Sequence, residues 1–355
     1  IFVKNLKMKV VIVGGGVAGI CLGHQLENVG VDFKIITKKE NYSSTIAAGM
    51  INPIVFRKML KSWEADTLVP YLDTFYDKIE EKIGSKFYHR MPIRRSFSTP
   101  KEKQLWIEKR EEGNTYLDYL SPLQESAPHY AKTENGSGFV QKGGYISSAQ
   151  FVENNQHYFQ KHGKLEYAEF DYNAIDIEKK CYKSEPFDYL IFAEGYKGTY
   201  NPFFNYLPLN HTKGEILEIT SKELLEDEIL NRKCFVLPTG NQTFRLGATF
   251  DWNTEDLTPT AEKKQELLDK YAAICSAKME VTDHKTGIRP TVPDRRPLMG
   301  KHPKYPFMVM FNGLGTKGYM LAPYLSEHLL KHVIEHTSLN KEVNIERWKK
   351  WQYQP

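Results

Sequence analysis

The sequence predicts an α/β fold, α+β overall: a dinucleotide-binding βαβ domain joined to a second domain built on an antiparallel sheet. Three observations predict it. The stretch Val10-Val-Ile-Val-Gly-Gly-Gly-Val-Ala-Gly19 runs four β-branched residues into three glycines, ahead of a helical pattern and a second apolar run at 33–36. The far end repeats the order: an apolar run at 307–311, a glycine-rich turn at 312–318 and a helical pattern over 319–336. Between them, residues 215–220, 234–237 and 243–250 alternate or run apolar, as strands do.

The opening stretch is Rossmann-like. Gly14, Gly16 and Gly19 stand at the G-x-G-x-x-G spacing. Gly14 permits the tight turn, Gly16 lets the backbone approach a pyrophosphate, and Gly19 lets helix and strand lie close. The unpaired amides and positive end of the helix over 17–28 suit the pyrophosphate, and Gly30 marks its stop. An acidic residue normally ends the second strand of such a unit, on the ribose; here the position is Thr37, with Glu40 as a substitute. Lys38 and Lys39 open the rival of a 2′-phosphate and NADP, although solvated surface lysines are the plainer reading. Residues 43–49, Ser-Ser-Thr-Ile-Ala-Ala-Gly, are small enough to leave room for a flat ring system.

Residues 62–84 repeat apolar positions at helical spacing. Residues 86–97 read as one strand with Arg90, Arg94 and Arg95 pointing outward, and 104–112 as a helix. A helix capped by Ser147 or Ser148 runs to His162, a strand-like segment covers 165–177, and 187–195 is a buried strand ending in glycine. Residues 260–277 are helical and 285–297 extended and pinned by prolines.

The chain has 355 residues, enough for two domains or one large enzyme. Its net charge of +4, from 48 basic and 44 acidic residues, is too slight to argue for nucleic acid. Cys21, Cys181, Cys234 and Cys275 have neither metal-site nor redox-motif spacing, so reduced thiols and a cytoplasmic location are expected. The histidines are dispersed and no metal site is expected; nor is a membrane segment. Met8 is a natural opening for the first strand, so residues 1–7 read as an extension or an upstream start.

Several motifs, taken in order, resemble a family. Val-Gly-Gly-Gly-Val-Ala-Gly19, Ala47-Ala-Gly-Met50, Gly143-Gly-Tyr145, Ile191-Phe-Ala-Glu-Gly195, Gly247-Ala-Thr249, Gly287-Ile-Arg-Pro290, Asp294-Arg-Arg-Pro297 and the turn and helix over 313–323 are similar to FAD-dependent oxidoreductases of the D-amino-acid oxidase family. The glycine oxidase and sarcosine oxidase branch looks closest. The chain also resembles the FAD domain of the bifunctional bacterial enzyme that modifies 5-carboxymethylaminomethyl-uridine in tRNA. The resemblance implies an FAD-binding domain from 8–60, 140–210 and 285–355, and a substrate domain from 61–139 and 211–284. It implies FAD held by Gly14, Gly16, Val17, Ala18 and Gly19; by Thr37 and Lys38; by Ser43, Ser44, Thr45, Ala48, Gly49 and Met50; by Ala193 and Gly195; and by Gly313, Leu314, Gly315, Thr316, Lys317, Gly318, Tyr319 and Met320. The sarcosine branch tethers its flavin through a cysteine near the Arg-Pro motif; the position here is near Gly287, so FAD is expected to be non-covalent.

The implied reaction oxidises the C–N bond of a small amino acid or secondary amine. Hydride passes to flavin N5, the imine hydrolyses, and oxygen or another acceptor reoxidises the flavin. Arg289 matches the arginine that grips a substrate carboxylate, a task suited to two parallel donors. Arg245 stands where the sarcosine branch has a lysine beside N5. Thr316 stands where glycine oxidase has a second substrate arginine, and this departure keeps open a carboxymethylaminomethyl group on tRNA uridine as the substrate. A non-enzymatic flavin- or NADP-binding protein is the third reading. The expected partners are a small carboxylated amine and an electron acceptor, with tRNA less favoured.

Overall fold

The structure is a computed structural model, and it describes residues 8–351 apart from 41 and 253. The expectation for residues 1–7 lies outside the described residues.

Six strands form the first sheet, in the order Leu165–Tyr167, Asp32–Thr37, Lys9–Val13, Tyr189–Phe192, Met308–Asn312 and Leu298–Lys301. The first five are mutually parallel, with Ile12 opposite both Ile35 and Ile191, and the last is antiparallel. A parallel sheet is stable when covered on both faces, which is why its strands read as unbroken apolar runs. On one face Ile12, Ile35, Ile20 and Leu22 join Leu325 and Leu329 in one core. That core holds the opening helix, Val17–Asn28, against the closing helix, Gly318–Ile334. On the other face Val13, Ile36, Phe192 and Met310 pack with Phe204 and Leu207.

The second sheet has nine strands. Eight run in the order Asp251–Trp252, Asn210–Thr220, Thr243–Gly247, Phe235–Gly240, Ile229–Asn231, Ile93–Ser96, Ser137–Val140 and Leu120–Leu123. Glu280–Thr291 pairs along the free side of Asn210–Thr220, with Arg289 opposite Thr212 and Ile288 opposite Lys213. The segment read as extended and proline-pinned from 285 is thus the second half of a long strand, and the domain boundary set at 285 falls inside it.

Residues 86–97 are not one strand. Tyr88–Arg90 pairs with Gly144–Ile146, whereas Ile93–Ser96 pairs with Ser137–Val140 in the larger sheet. The break contains Pro92, which has no N–H to give a ladder. Nor do all three arginines point outward. Arg90 is exposed and bonded to Asp73 and Asp77. Arg94 and Arg95 are 6% and 7% exposed. Arg94 meets Glu228 at 2.6 Å and Ser137 at 3.1 Å; Arg95 meets Glu102 at 2.7 Å and Asn231 at 2.8 Å. Both charges are spent inside the protein.

The helices follow the pattern with shifted ends. Residues 62–84 form Ala65–Ile83, stopped by Gly84 in the left-handed region. The helix read at 104–112 is Pro100–Glu111, because Thr99 caps it by accepting from the Glu102 amide and Pro100 suits the first position. Residues 260–277 give Ala261–Ala272, capped by Thr260. Ser147 precedes the helix Ser148–Lys161 but makes no side-chain cap; Ser148 instead donates to the carbonyls of Thr45 and Ala47. Of residues 165–177 the first three continue the parallel sheet, and a 3-10 turn, Tyr172–Ala174, follows.

Candidate active site

The strands Lys9–Val13, Asp32–Thr37, Tyr189–Phe192 and Met308–Asn312 all end on one cleft of about 690 Å³, roofed by the second sheet. Ligands of open parallel sheets lie in this place, outside the carboxyl ends of the strands. All the expected site residues line the cleft except Gly19, Thr45, Arg245, Gly313 and Met320. Gly19 is a packing glycine: a Cβ there would stand 1.9 Å from the Gly14 carbonyl oxygen. Gly313 lies against Val292, Met320 is in the core, and Thr45 offers its carbonyl to Ser148.

One end of the cleft suits a dinucleotide. Gly14 has φ +110°, and a Cβ on it would fall 2.3 Å from the Ala193 carbonyl oxygen, so only glycine turns the chain here. The opening helix has no side-chain cap at Gly16, and its Val17 amide reaches the Ser44 hydroxyl at 3.1 Å. Thr37 is buried at the strand end. Lys38 is ion-paired with Glu169 at 2.5 Å, and Lys39 sits over the Tyr167 ring. Glu40 and Glu169 also line the cleft, a poor setting for a further phosphate on the ribose, and Glu194 lines it too. The glycine cradle, the helix terminus and this ribose end fit FAD.

Sequence reasoning missed Glu194, although its place between Ala193 and Gly195 at the end of a buried strand was a usable signal. Desolvation pushes its carboxyl up to about 7. The Tyr172 hydroxyl donates to one oxygen and Asn201 to the other at 2.7 Å, which limits the rise.

The loop over 43–50 is pinned from below. Tyr319 donates to the Ser44 carbonyl at 2.7 Å. Arg245 donates from Nη1 to the Ala47 carbonyl and the Ser148 hydroxyl, both at 2.8 Å, and its Nε is buried without a partner. Arg245 therefore lies beneath the loop rather than on the cleft wall, and burial lowers its pKa.

The other end of the cleft is cationic. Arg289 lies across Gly214, where a Cβ would stand 2.1 Å from its Nη2. Its Nη1 makes long bonds to the carbonyls of Lys213, 3.4 Å, and Thr249, 3.3 Å, and its guanidinium rests 4.7 Å from the Phe250 ring centre. Lys317 donates to the Asn52 carbonyl at 2.7 Å and to Ser62. Among the described residues neither cation has a carboxylate partner. Burial lowers Arg289 to about 10 and Lys317 to about 8. Two desolvated cations without counter-charge are equipped to fix an anion and to stabilise negative charge developing on a bound ring. Cys234 also lines the cleft, its thiol pushed up to about 12 by burial. Among the described residues no cluster could hold a metal ion, and no helix is long and apolar enough to cross a membrane.

Comparison with known proteins agrees with this arrangement. The tRNA 5-methylaminomethyl-2-thiouridine biosynthesis bifunctional protein of Legionella pneumophila (strain Corby) is 25% identical over 383 residues, which cover 94% of this chain and 54% of the relative. Glycine oxidase of Bacillus subtilis is 28% identical over 152 residues, 40% of this chain and 39% of the relative. The chain spans about half, or less, of the length of the curated relatives it matches. Among solved structures, glycine oxidase from Bacillus cereus superposes with a TM-score of 0.78 at 20% identity, covering 94% of this chain and 96% of that one. L-proline dehydrogenase from P. horikoshii gives 0.80 at 15% identity, covering 99% and 100%. These likenesses show the fold. The sequence pattern of the FAD dependent oxidoreductases matches residues 9–331. Nine-tenths of the chain, the glycine cradle and the cationic cleft included, falls within that match, and the protein belongs to the FAD dependent oxidoreductase family.

Proposed function

We propose that the protein oxidises the C–N bond of a small amine bearing a carboxylate, an amino acid or an N-substituted one. The observation that carries the reading is Arg289: a cleft-lining guanidinium, desolvated, with two long carbonyl contacts and no acid beside it. A carboxylate supplies the missing charge and fits the fork of donors. FAD, when bound, accepts the hydride from the carbon next to the nitrogen. The chain's own residues then bind, orient and polarise. Arg289 sets the carboxylate, and with it the direction of the neighbouring carbon. Lys317 and the amides of its turn supply further positive charge to the same cleft. In this reading the six-stranded sheet carries FAD and the nine-stranded sheet roofs the substrate. FAD is held, in this reading, without a covalent bond: Gly287-Ile-Arg-Pro290 offers no cysteine, and the Cys234 thiol on the cleft is pushed up to about 12 by burial.

The test is Arg289→Gln. Removing one member of a desolvated charge pair costs roughly 2–5 kcal/mol, so the concentration of carboxylated amine that half-saturates flavin reduction rises about thirtyfold or more. The same amine lacking its carboxylate shows no such change. An equal effect on both amines contradicts a carboxylate at Arg289.

A second reading takes the carboxymethylaminomethyl group of a tRNA uridine as substrate. It is favoured by the Legionella relative, whose match runs over 94% of this chain. The internal pairing of Arg94 and Arg95 removes one basic surface it called on. Reduction of the flavin by tRNA carrying that group, and by no free amine, would establish it.

A further inference from the structure

Three large aromatic side chains are exposed among the described residues: Tyr200 at 57%, Phe250 at 52% and Trp252 at 59%. They are not scattered. Trp252 pairs with Thr212, and Arg289 pairs with the same residue from the other side of that strand. Phe250, two residues earlier, stacks on the Arg289 guanidinium. Tyr200 bonds Glu255, three residues beyond Trp252 on the same segment. Tyr200 and Phe250 line the cleft.

Nor is the segment that carries Phe250 and Trp252 loosely attached. Lys213, 3% exposed, donates to the Thr258 carbonyl at 2.6 Å, and Thr286 to the Leu257 carbonyl. Glu215, 1% exposed, accepts from the Thr260 amide at 3.1 Å. Glu255 takes the Tyr200 hydroxyl and stands 3.1 Å from His211. Buried charges thus hold a strip of aromatic surface open to water. Exposed aromatics that a fold holds in place mark a binding surface, and this one reaches the cleft through Tyr200 and Phe250.

We infer that the substrate carries a planar ring on its outer side: Arg289 holds the carboxylate within, and Tyr200, Phe250 and Trp252 flank the ring at the mouth. This rests on the reading of a carboxylated amine given above. Rings at the mouth favour a flat π-system over an aliphatic chain of equal size, because offset and edge-on ring pairs add to the gain from burial. The occupant is the outer part of the substrate, since the collar adjoins the residue that would anchor the inner part.

The test uses the FAD-loaded full chain, reduced anaerobically by sarcosine, N-benzylglycine and N-(cyclohexylmethyl)glycine, with the half-saturating concentration read for each. The benzyl amine is expected to half-saturate at about one-fifth the concentration of its cyclohexyl counterpart. In the double variant Phe250→Leu, Trp252→Leu the ratio falls to about 1. A ratio within one variant does not depend on how much of it is folded. Equal values for the two bulky amines in the parent protein, or an advantage that survives the double replacement, overturns the inference. So does reduction by sarcosine with neither bulky amine active, which leaves the carboxylated-amine reading standing. Reduction by none of the three removes both.

Discussion

A desolvated guanidinium with no acid beside it among the described residues is short of a counter-charge. Arg289 is in that position, and so is the Lys317 ammonium of the turn after the Met308–Asn312 strand. Glu194 is the opposite case, an acid whose desolvated surroundings favour the neutral form. Its carboxyl titrates near 7 in the folded chain and in the ordinary carboxylate range when unfolded. Between those values the folded state binds the extra proton. Its contribution is therefore full below the unfolded pKa and is lost as pH rises through about 7. The loss is at most about 3 kcal/mol for a shift of this size. Thermal unfolding of Glu194→Gln is expected to depend less on pH between about 5 and 7 than that of the parent. Parallel curves for the two would place the buried proton elsewhere.

At the scale of elements, the opening strand, turn and helix were legible because every local signal agreed. The β-branched run, the glycine spacing and the stop at Gly30 all pointed to one unit. The cleft-lining loop over 43–50 was legible as a run of small residues, but not its support. Arg245 and Tyr319 reach it from strands and helices remote in sequence, which no spacing predicts. Residues 86–97 show the other limit. Alternation separates two faces of a strand without saying which is wet, and the partners that bury Arg94 and Arg95, Glu228 and Glu102, lie elsewhere in the chain. Arg245 was read as a group beside the flavin; its guanidinium bonds the loop carbonyl of Ala47 and the Ser148 hydroxyl. Arg245→Met is expected to weaken FAD retention roughly tenfold, since two hydrogen bonds from a charged donor are lost. FAD fluorescence released on dilution measures it. Unchanged retention with slower flavin reoxidation would favour a role beside the ring instead.

Over the whole molecule, two sheets of different construction meet at one cleft. The parallel sheet, covered on both faces, presents amides and a helix terminus to the cleft. The nine-stranded sheet contributes Arg289 and the aromatic rim from its longest strand pair, Asn210–Thr220 with Glu280–Thr291, and from the segment latched to it. The order of motifs along the sequence made the presence of two kinds of sheet readable. The path of the 280–291 strand was hidden because Pro290 and Pro293 look like loop residues until the strand is seen at its sheet's edge.

The most direct measurement is the visible spectrum of the FAD-loaded chain during anaerobic addition of paired amines, each with and without a carboxylate. The flavin band is expected to bleach with a carboxylated amine and to persist with its decarboxylated partner. Bleaching by both alike, or by neither across a panel of small and ring-bearing amines, would contradict the proposed function.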